Sequence, residues 1–452
     1  MSQDVTDLSA PSPASLSDPF YYLLNARQVI DWCLRYHSDL LLDQERELLN
    51  AFVQLPEYAQ GLLIRLIMRK GELVRTDSLD YAEIHAEIGD DLTQVMEPLV
   101  QIGLIDTVPV LSLPALTTLC RKAEALSLIR HCDPDNPPPA KNSKQQLIEQ
   151  AEQLVQAASG SETTSPDEKT VNAWWPESPF RLIRVTQRPL FERLRLMFFG
   201  NLYQSWSEFV LTELGVQQFE AVSFSPDSRA FQQRYEVDLY LAMHNLQQQL
   251  DELRYSPSDK AKARELTPDV TEALETLAEQ LTSLEAAIST QIKPSASHTE
   301  SDWLLRRYQK LSFQIGHFAE KQGMTSLALN CYRKSANDDA VIRRLRLMER
   351  TEAPDRVYQQ AKESLELTDK PEQRLLLNRI LQRSGRKAGI KTGKTKAQKI
   401  TLDEQTLTLH FNPEQNVERQ VVEYYQSQGE LAFHVESRLI NALFALLFWP
   451  VL

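Results

Sequence analysis

Apolar residues recur three and four positions apart along nearly the whole chain, as at Val29, Trp32, Cys33 and Tyr36, whereas period-two alternation is confined to a few short runs. A side chain returns to the same helix face every 3.6 residues, so this spacing predicts amphipathic helices and a mainly α, multi-domain protein. Only 13 glycines occur in 452 residues, too few for the turns of a β-sandwich, a barrel or a Gly-rich nucleotide fold.

Breaks in the pattern divide the chain. Residues 1–17 are polar and rich in Ser, Asp and Pro, which predicts a disordered leader. A helical block follows over 18–110. A helix pair is expected over 111–158, interrupted by the proline run Asp133 to Ala140, which no helix can contain. Gly160-Ser-Glu-Thr-Thr-Ser-Pro-Asp-Glu-Lys169 marks a flexible linker over 159–172, and a further block covers 173–226. Over 227–384 helices succeed one another. Leu304, Tyr308, Leu311, Ile315 and Phe318 alternate spacings of four and three, Gly323 breaks the chain, and Ala328, Leu329 and Tyr332 resume the pattern. Helix pairs stacked in this way predict a degenerate, tetratricopeptide-like solenoid. Arg383 to Lys399 carries seven basic residues and no acid, a basic linker placed at 385–400. In the last segment, 401–452, Thr406 to Phe411 alternates like a strand, Val417 to Tyr425 reads as a helix, and Leu439 to Trp449 is apolar on every face.

The net charge of −13 means that the whole molecule does not attract nucleic acid, so any DNA contact must come from local basic patches. The four cysteines form no Cys-x-x-Cys pair and read as small buried hydrophobes of a reducing compartment. The longest apolar stretch, Leu439 to Leu452, falls well short of the roughly 20 residues of a membrane span. A soluble, cytoplasmic protein is expected, with no membrane partner.

Three apparent catalytic motifs do not hold. Gly389-Ile-Lys-Thr-Gly393-Lys394-Thr395 spaces its glycines one residue too closely for a P-loop, and no buried strand precedes it. His434-Val-Glu436 has the deaminase spacing but lacks the Pro-Cys-x-x-Cys partner. Asp167-Glu-Lys169, the acid-x-Lys pattern of metal-dependent phosphodiesterases, lies in the polar linker.

Three segments together resemble the Fanconi-associated nuclease family. They are Tyr21-Tyr22-Leu23 with Gln60 to Lys70 and Leu79 to Ile84; Phe191 to Gly215; and Ala432 to Glu436 followed by Leu439 to Trp449. The resemblance implies a helical DNA-binding region over 18–110, a SAP-type region over 111–158 and 173–226, the tetratricopeptide-like region, and over 401–452 the start of an α/β, restriction-endonuclease-like VRR-NUC domain. It implies a DNA repair nuclease of the phosphodiesterase I type, using Mn²⁺ or Mg²⁺ on 5′-flapped or branched DNA and in interstrand crosslink processing. Arg65, Arg69, Lys70 and Tyr81 carry over as DNA contacts, and Glu436 as one metal ligand.

Two arginine forks four residues apart on a helix can hold one or two phosphates, which suits Arg65 and Arg69. Lys141 and Lys144 beside the SAP-type helices are weaker phosphate contacts. The second segment adds Arg181, Arg184, Arg188, Arg193 and Arg195 beside Phe198, Phe199 and Trp206, a mixture that suits stacked and charged contacts to nucleic acid, or equally a helix with a basic face and an aromatic core. The family's other ligands, a Gly-Leu-Pro-Asp aspartate and a Glu-x-Lys, have no match in this sequence, and the apolar helix at Leu439 has no following element to cover it. The expectation is a truncated member that supplies DNA recognition and one ligand and is inactive alone. The competing reading is a non-enzymatic DNA-binding or scaffold protein that offers its helical groove to a protein partner.

Overall fold

The computed structural model describes residues 18–69, 71–84, 92–158, 168–204, 206, 226–255, 268–291, 302–390, 406–409, 412, 415–436 and 438–449. These are mainly helical, as the periodicity predicts, and the chain divides into two units, residues 1–390 and 391–452. The leader, Lys70, most of the 159–172 linker and residues 391–400 of the basic linker lie outside the described residues.

In the first unit, α1 (Tyr21–Tyr36), α2 (Asp43–Val53), α3 (Glu57–Met68) and α4 (Leu92–Gln101) build one core. On α1 the predicted stripe is buried at Val29 and Cys33, while Trp32 lies 4.4 Å from Tyr36 between ring centroids and meets Phe198 edge-on at 6.0 Å. Phe198 belongs to α9 (Arg188–Phe199), which also places Phe191 edge-on to Phe52 at 5.9 Å. Strand β5 (Leu182–Val185) joins this core from far along the chain. It pairs antiparallel between β1 (Leu73–Arg75) and β2 (Ile105–Asp106), with Val74 opposite Ile183 and Ile105 opposite Val185.

The intervening chain forms a core of its own around Leu116, Leu128, Ile129, Leu147 and Trp175. Here α5 (Leu113–Leu119), α6 (Lys122–Cys132) and α7 (Lys144–Ala158) stand where the sequence predicts two helices. The extra boundary has a local cause: Arg121 is extended, with ψ 159°, and its N–H donates to the Glu124 carboxylate at 2.6 Å, which starts a new helix. Two short strands, β3 (Val110–Leu111) and β4 (Lys169–Thr170), pair at its edge, and the short helix α8 (Val171–Trp174) follows. Arg75 ties this core to the first. Its guanidinium bridges Asp77 and Glu124 and lies 3.8 Å above the Phe180 ring.

Among the described residues there follow α10 (Arg234–Tyr255), α11 (Pro268–Gln291), α12 (Asp302–Lys321), α13 (Thr325–Arg333), α14 (Asp338–Thr351), α15 (Pro354–Glu366) and α16 (Pro371–Lys387). Each packs on its neighbours in sequence. Leu304, Tyr308, Leu311 and Ile315 are buried on α12, and Gly323, at φ +79°, turns the chain into α13. At Gly316 a Cβ would stand 2.9 Å from the Cβ of Cys331, so the close approach of α12 and α13 requires glycine there.

The second unit contains α17 (Val417–Ser427) and α18 (Arg438–Phe448), neither of which has a buried residue. Thr406 to Leu409 form no strand, and the rest of that expected strand lies outside the described residues. On α18 Ile440, Leu443, Phe444, Leu446 and Leu447 are all exposed.

Candidate nucleic-acid interface

Helix α3 ends at Met68, and Arg69 is its C-cap, with ψ 153° and extended backbone. The guanidiniums of Arg65 and Arg69 therefore do not extend one helix face, yet they converge. Each lies over the Tyr81 ring, at 5.4 and 5.5 Å from its centroid, and Arg65 also stacks on Tyr22 at 3.9 Å. The structure thus brings together three of the four residues expected to contact DNA in this block; Lys70 lies outside the described residues.

Both forks have protein acceptors. Arg65 donates through Nε and Nη2 to a single Glu83 oxygen, at 2.9 and 2.7 Å, and Tyr22 donates its hydroxyl to the same oxygen at 3.1 Å. Burial pushes the Glu83 carboxyl up, but its backbone hydrogen bond and the Arg65 fork together hold it below the usual range. Burial, and then the Glu83 charge, push the Tyr22 hydroxyl up. Arg69 donates Nε to the Tyr81 hydroxyl at 2.8 Å, Nη1 to Ser78 Oγ at 2.7 Å and Nη2 to the Ser78 carbonyl at 2.6 Å. Glu83 is the residue that sequence reasoning misses here. Its signal, an acid two positions after Tyr81 inside the first family-like segment, carries no periodicity.

Arg184, Arg188, Arg193 and Arg195 of the second basic run have partners within the protein. Arg188 donates to the carbonyls of Leu66, Ile67 and Arg69 at 2.8–3.0 Å, so a cation closes the C-terminal end of α3, where carbonyls lack helical partners. Burial lowers its pKa. Arg184 reaches the Val110 carbonyl at 2.6 Å, Arg193 joins Glu45 and Asp238, and Arg195 pairs with Glu192. The aromatics expected beside them are internal: Phe198 and Phe199 pack against the first core, and Trp206 is buried. Lys144 opens α7 exposed, its Nζ 2.7 Å from the Thr118 carbonyl, and Lys141 is exposed in the loop before it.

A groove of about 1370 Å³ adjoins the end of α3, lined by Arg69, Arg188 and Arg195 but also by Glu72, Glu192 and Glu252. Its charges are mixed.

Glu436 lies two residues before α18, exposed, with φ +38°, a left-handed conformation that side-chain-bearing residues rarely adopt. His434 Nε2 lies 3.4 Å from a Glu436 carboxylate oxygen. Among the described residues no three His, Cys, Asp or Glu side chains come together to hold a cation. The described residues by themselves therefore do not fit a divalent metal site.

Comparison with known proteins places these features in a family. The family model described as the FAN1 HTH domain matches residues 20–106, the block that holds Tyr22, Arg65, Arg69, Tyr81 and Glu83. A Fanconi-associated nuclease 1 homolog of Pseudomonas aeruginosa is 35% identical over 446 residues, 98% of this chain and 70% of that protein. Human Fanconi-associated nuclease 1 is 25% identical over 266 residues, 52% of this chain and 24% of the human protein. Among solved structures, paFAN1 bound to DNA with a 2-nucleotide 5′ flap and a gap superposes with a TM-score of 0.70 at 34% identity, covering 96% of this chain and 71% of that one. A second paFAN1 complex, with a 1-nucleotide flap, gives a TM-score of 0.69.

Proposed function

This chain belongs to the Fanconi-associated nuclease 1 family, and from that premise we propose that it recognises 5′-flapped DNA for a repair nuclease through the block around Arg65, Arg69 and Tyr81. The observation that carries the reading is the match along 96% of the chain to a relative solved with flap DNA. The convergence of two guanidiniums on one tyrosine within the family-matched block supports it. Phosphate contacts through arginine forks fix register on the DNA and make affinity salt-dependent. The 111–226 region serves in this reading as the SAP-type element and α10–α16 as the tetratricopeptide-like one. Flap and crosslink processing is the activity of the repair nuclease, with Mn²⁺ or Mg²⁺ as its metal.

DNA recognition is the part of the family's function that this reading places on the described residues. Fluorescence anisotropy on 5′-flap and plain duplex DNA, each across a salt series, tests this. Tighter binding to the flap is expected. Arg65→Glu should weaken it about tenfold and lower the salt slope by about 0.9 for each phosphate that is no longer neutralised. Equal, unchanged affinities for both DNAs in wild type and variant would overturn the assignment. Incubation of the same complexes with Mn²⁺ should leave the flap intact, and robust cleavage would show that a metal site is assembled after all.

A further inference from the structure

A second, smaller cleft, of about 450 Å³, opens between α10 and α12, lined by Arg254, Gln314, His317, Phe318 and Lys321. Among the described residues no carboxylate lines it. His317 and Lys321 stand four residues apart on α12 and so share a face, and Arg254 reaches across from the last turn of α10. Arg254 is held in place: Nη2 donates to the Gln314 carbonyl at 2.8 Å, and its guanidinium lies 5.8 Å from the Phe318 centroid. The His317 ring lies parallel to Phe313, at 5.9 Å between centroids, which fixes its plane.

Of the nearby acids, one contacts Arg254 itself and the other is held by α13 and α14. Asp251 accepts from Gln247 at 3.0 Å and from Arg254 at 3.5 Å, and Glu320 accepts from the Tyr332 hydroxyl and from Arg343. Among the described residues, neither His317 nor Lys321 donates to a carboxylate, a contrast with the first block, where Arg65 has Glu83. In a chain of net charge −13, three basic side chains around one cleft with no carboxylate among its described lining residues, Arg254 sharing its charge with Asp251 at 3.5 Å, form a local positive site.

The geometry points to a phosphate-binding site formed by Arg254, His317 and Lys321, which takes a backbone phosphate of the DNA that the N-terminal block engages. It rests on the DNA-recognition reading above. Burial first, then the charges of Arg343 and Lys321, lower the His317 pKa, with Glu320 opposing and Arg254 adding to the effect. Among the described residues these groups, from α10, α12 and α14, are the charges that act on the imidazole. A phosphate in the cleft reverses the sign of the local field, so His317 takes up a proton as the anion binds.

The test uses the full chain in two arms. In the first, His317 ring protons are followed by NMR through a pH titration in inorganic phosphate and in chloride of equal ionic strength. Phosphate should raise the His317 pKa by about half a unit or more, and Lys321→Gln should diminish that rise. In the second, 5′-flap affinity is measured across salt for His317→Asn and Lys321→Gln, substitutions at side chains outside the cores whose folding is checked by thermal unfolding. The salt slope should fall by about 0.9 for each phosphate that the variant no longer holds. No phosphate-specific shift, with unchanged slopes, overturns the site. A phosphate-specific shift with unchanged slopes confines it to free phosphate and overturns its assignment to DNA. Arg65→Glu, run alongside, separates the two readings. If Arg65→Glu weakens flap binding while the cleft variants do not, the cleft alone fails; if wild type shows no preference for the flap, the DNA reading itself fails.

Discussion

The arginines of the N-terminal block and the basic residues between α10 and α12 differ in what answers them. In the first region Arg65 meets Glu83, Arg188 meets three backbone carbonyls, Arg193 meets Glu45 and Asp238, and Arg195 meets Glu192. In the second, His317 and Lys321 line a cleft that has no carboxylate among the described residues of its wall. Basic residues are frequent in both regions, with five arginines between Arg181 and Arg195 and with Arg306, Arg307, Lys310 and Lys321 on α12, so density alone is a poor guide to where a phosphate can sit. What counts is whether the protein already supplies the acceptor, because a guanidinium held by a buried carboxylate must give up that partner before it takes another.

Arg188→Ala attacks the comparison most strongly. If Arg188 belongs to the fold and not to the DNA surface, its removal leaves the carbonyls of Leu66, Ile67 and Arg69 without their donor. Hydrogen bonds from a charged donor contribute about 1.5–3 kcal/mol each, and the desolvation of a half-buried guanidinium offsets part of their sum, so a drop of about 3 kcal/mol in unfolding free energy is expected. Urea denaturation measures it. A variant of unchanged stability that binds flap DNA poorly would return Arg188 to the interface.

Next in size is the contrast between two histidines under positive fields. His37 is buried, and that burial, followed by Arg229 and against the opposing charge of Asp39, lowers its pKa from 6.5 to about 4. A depressed pKa means that the unfolded chain binds the proton more readily. The His37 contribution is thus complete above pH 6.5 and is lost as pH falls towards 4. The shift corresponds to about 3 kcal/mol at most. Unfolding free energies of wild type and His37→Gln should converge as pH is lowered through that window; parallel curves would show that His37 carries no such penalty. At His317 the same protonation occurs without unfolding, because the cleft is open to an anion.

The helical fold was legible because each helix writes its own face into the sequence, as Leu304, Tyr308, Leu311 and Ile315 do on α12. The sheet was not legible. β5 is four residues long and finds its partners at Leu73–Arg75 and Ile105–Asp106 only through tertiary packing, so chain order sets Leu182–Val185 apart from the block it completes. The merged helices near Cys120 show the same limit at short range, since apolar spacing continues across the break and only the bond from Arg121 N–H to Glu124 marks it. At the interface, Arg65, Arg69 and Tyr81 could be placed together through the family resemblance. Glu83 could not, because an acid paired with arginine has the same sequence signature as an acid in water. The cleft was invisible for a related reason: His317 and Lys321 are adjacent on one helix, but Arg254 comes from another, and which residues share a wall is a property of packing.

The smallest effect asks what Glu83 does at the interface. Its carboxylate occupies the Nε and Nη2 donors of Arg65, the edge that a phosphate oxygen would use. If it competes with DNA, Glu83→Gln should tighten flap binding by about two- to fivefold, because a neutral amide holds the guanidinium less firmly than a carboxylate does. If instead it aims Arg65 at the DNA across the Tyr22 ring, the same substitution should weaken binding. The acid limb of the stability curve identifies the pair independently. Since the Glu83 pKa is depressed, its contribution is present above the ordinary value of 4.5 and is lost as pH falls below it. Wild type should therefore lose stability more steeply than Glu83→Gln in that range. A gain in affinity accompanied by a flatter acid limb would make Glu83 an internal stand-in for phosphate, and would place the two regions on one scale, with Arg65 open to DNA only when Glu83 yields and the cleft open from the outset.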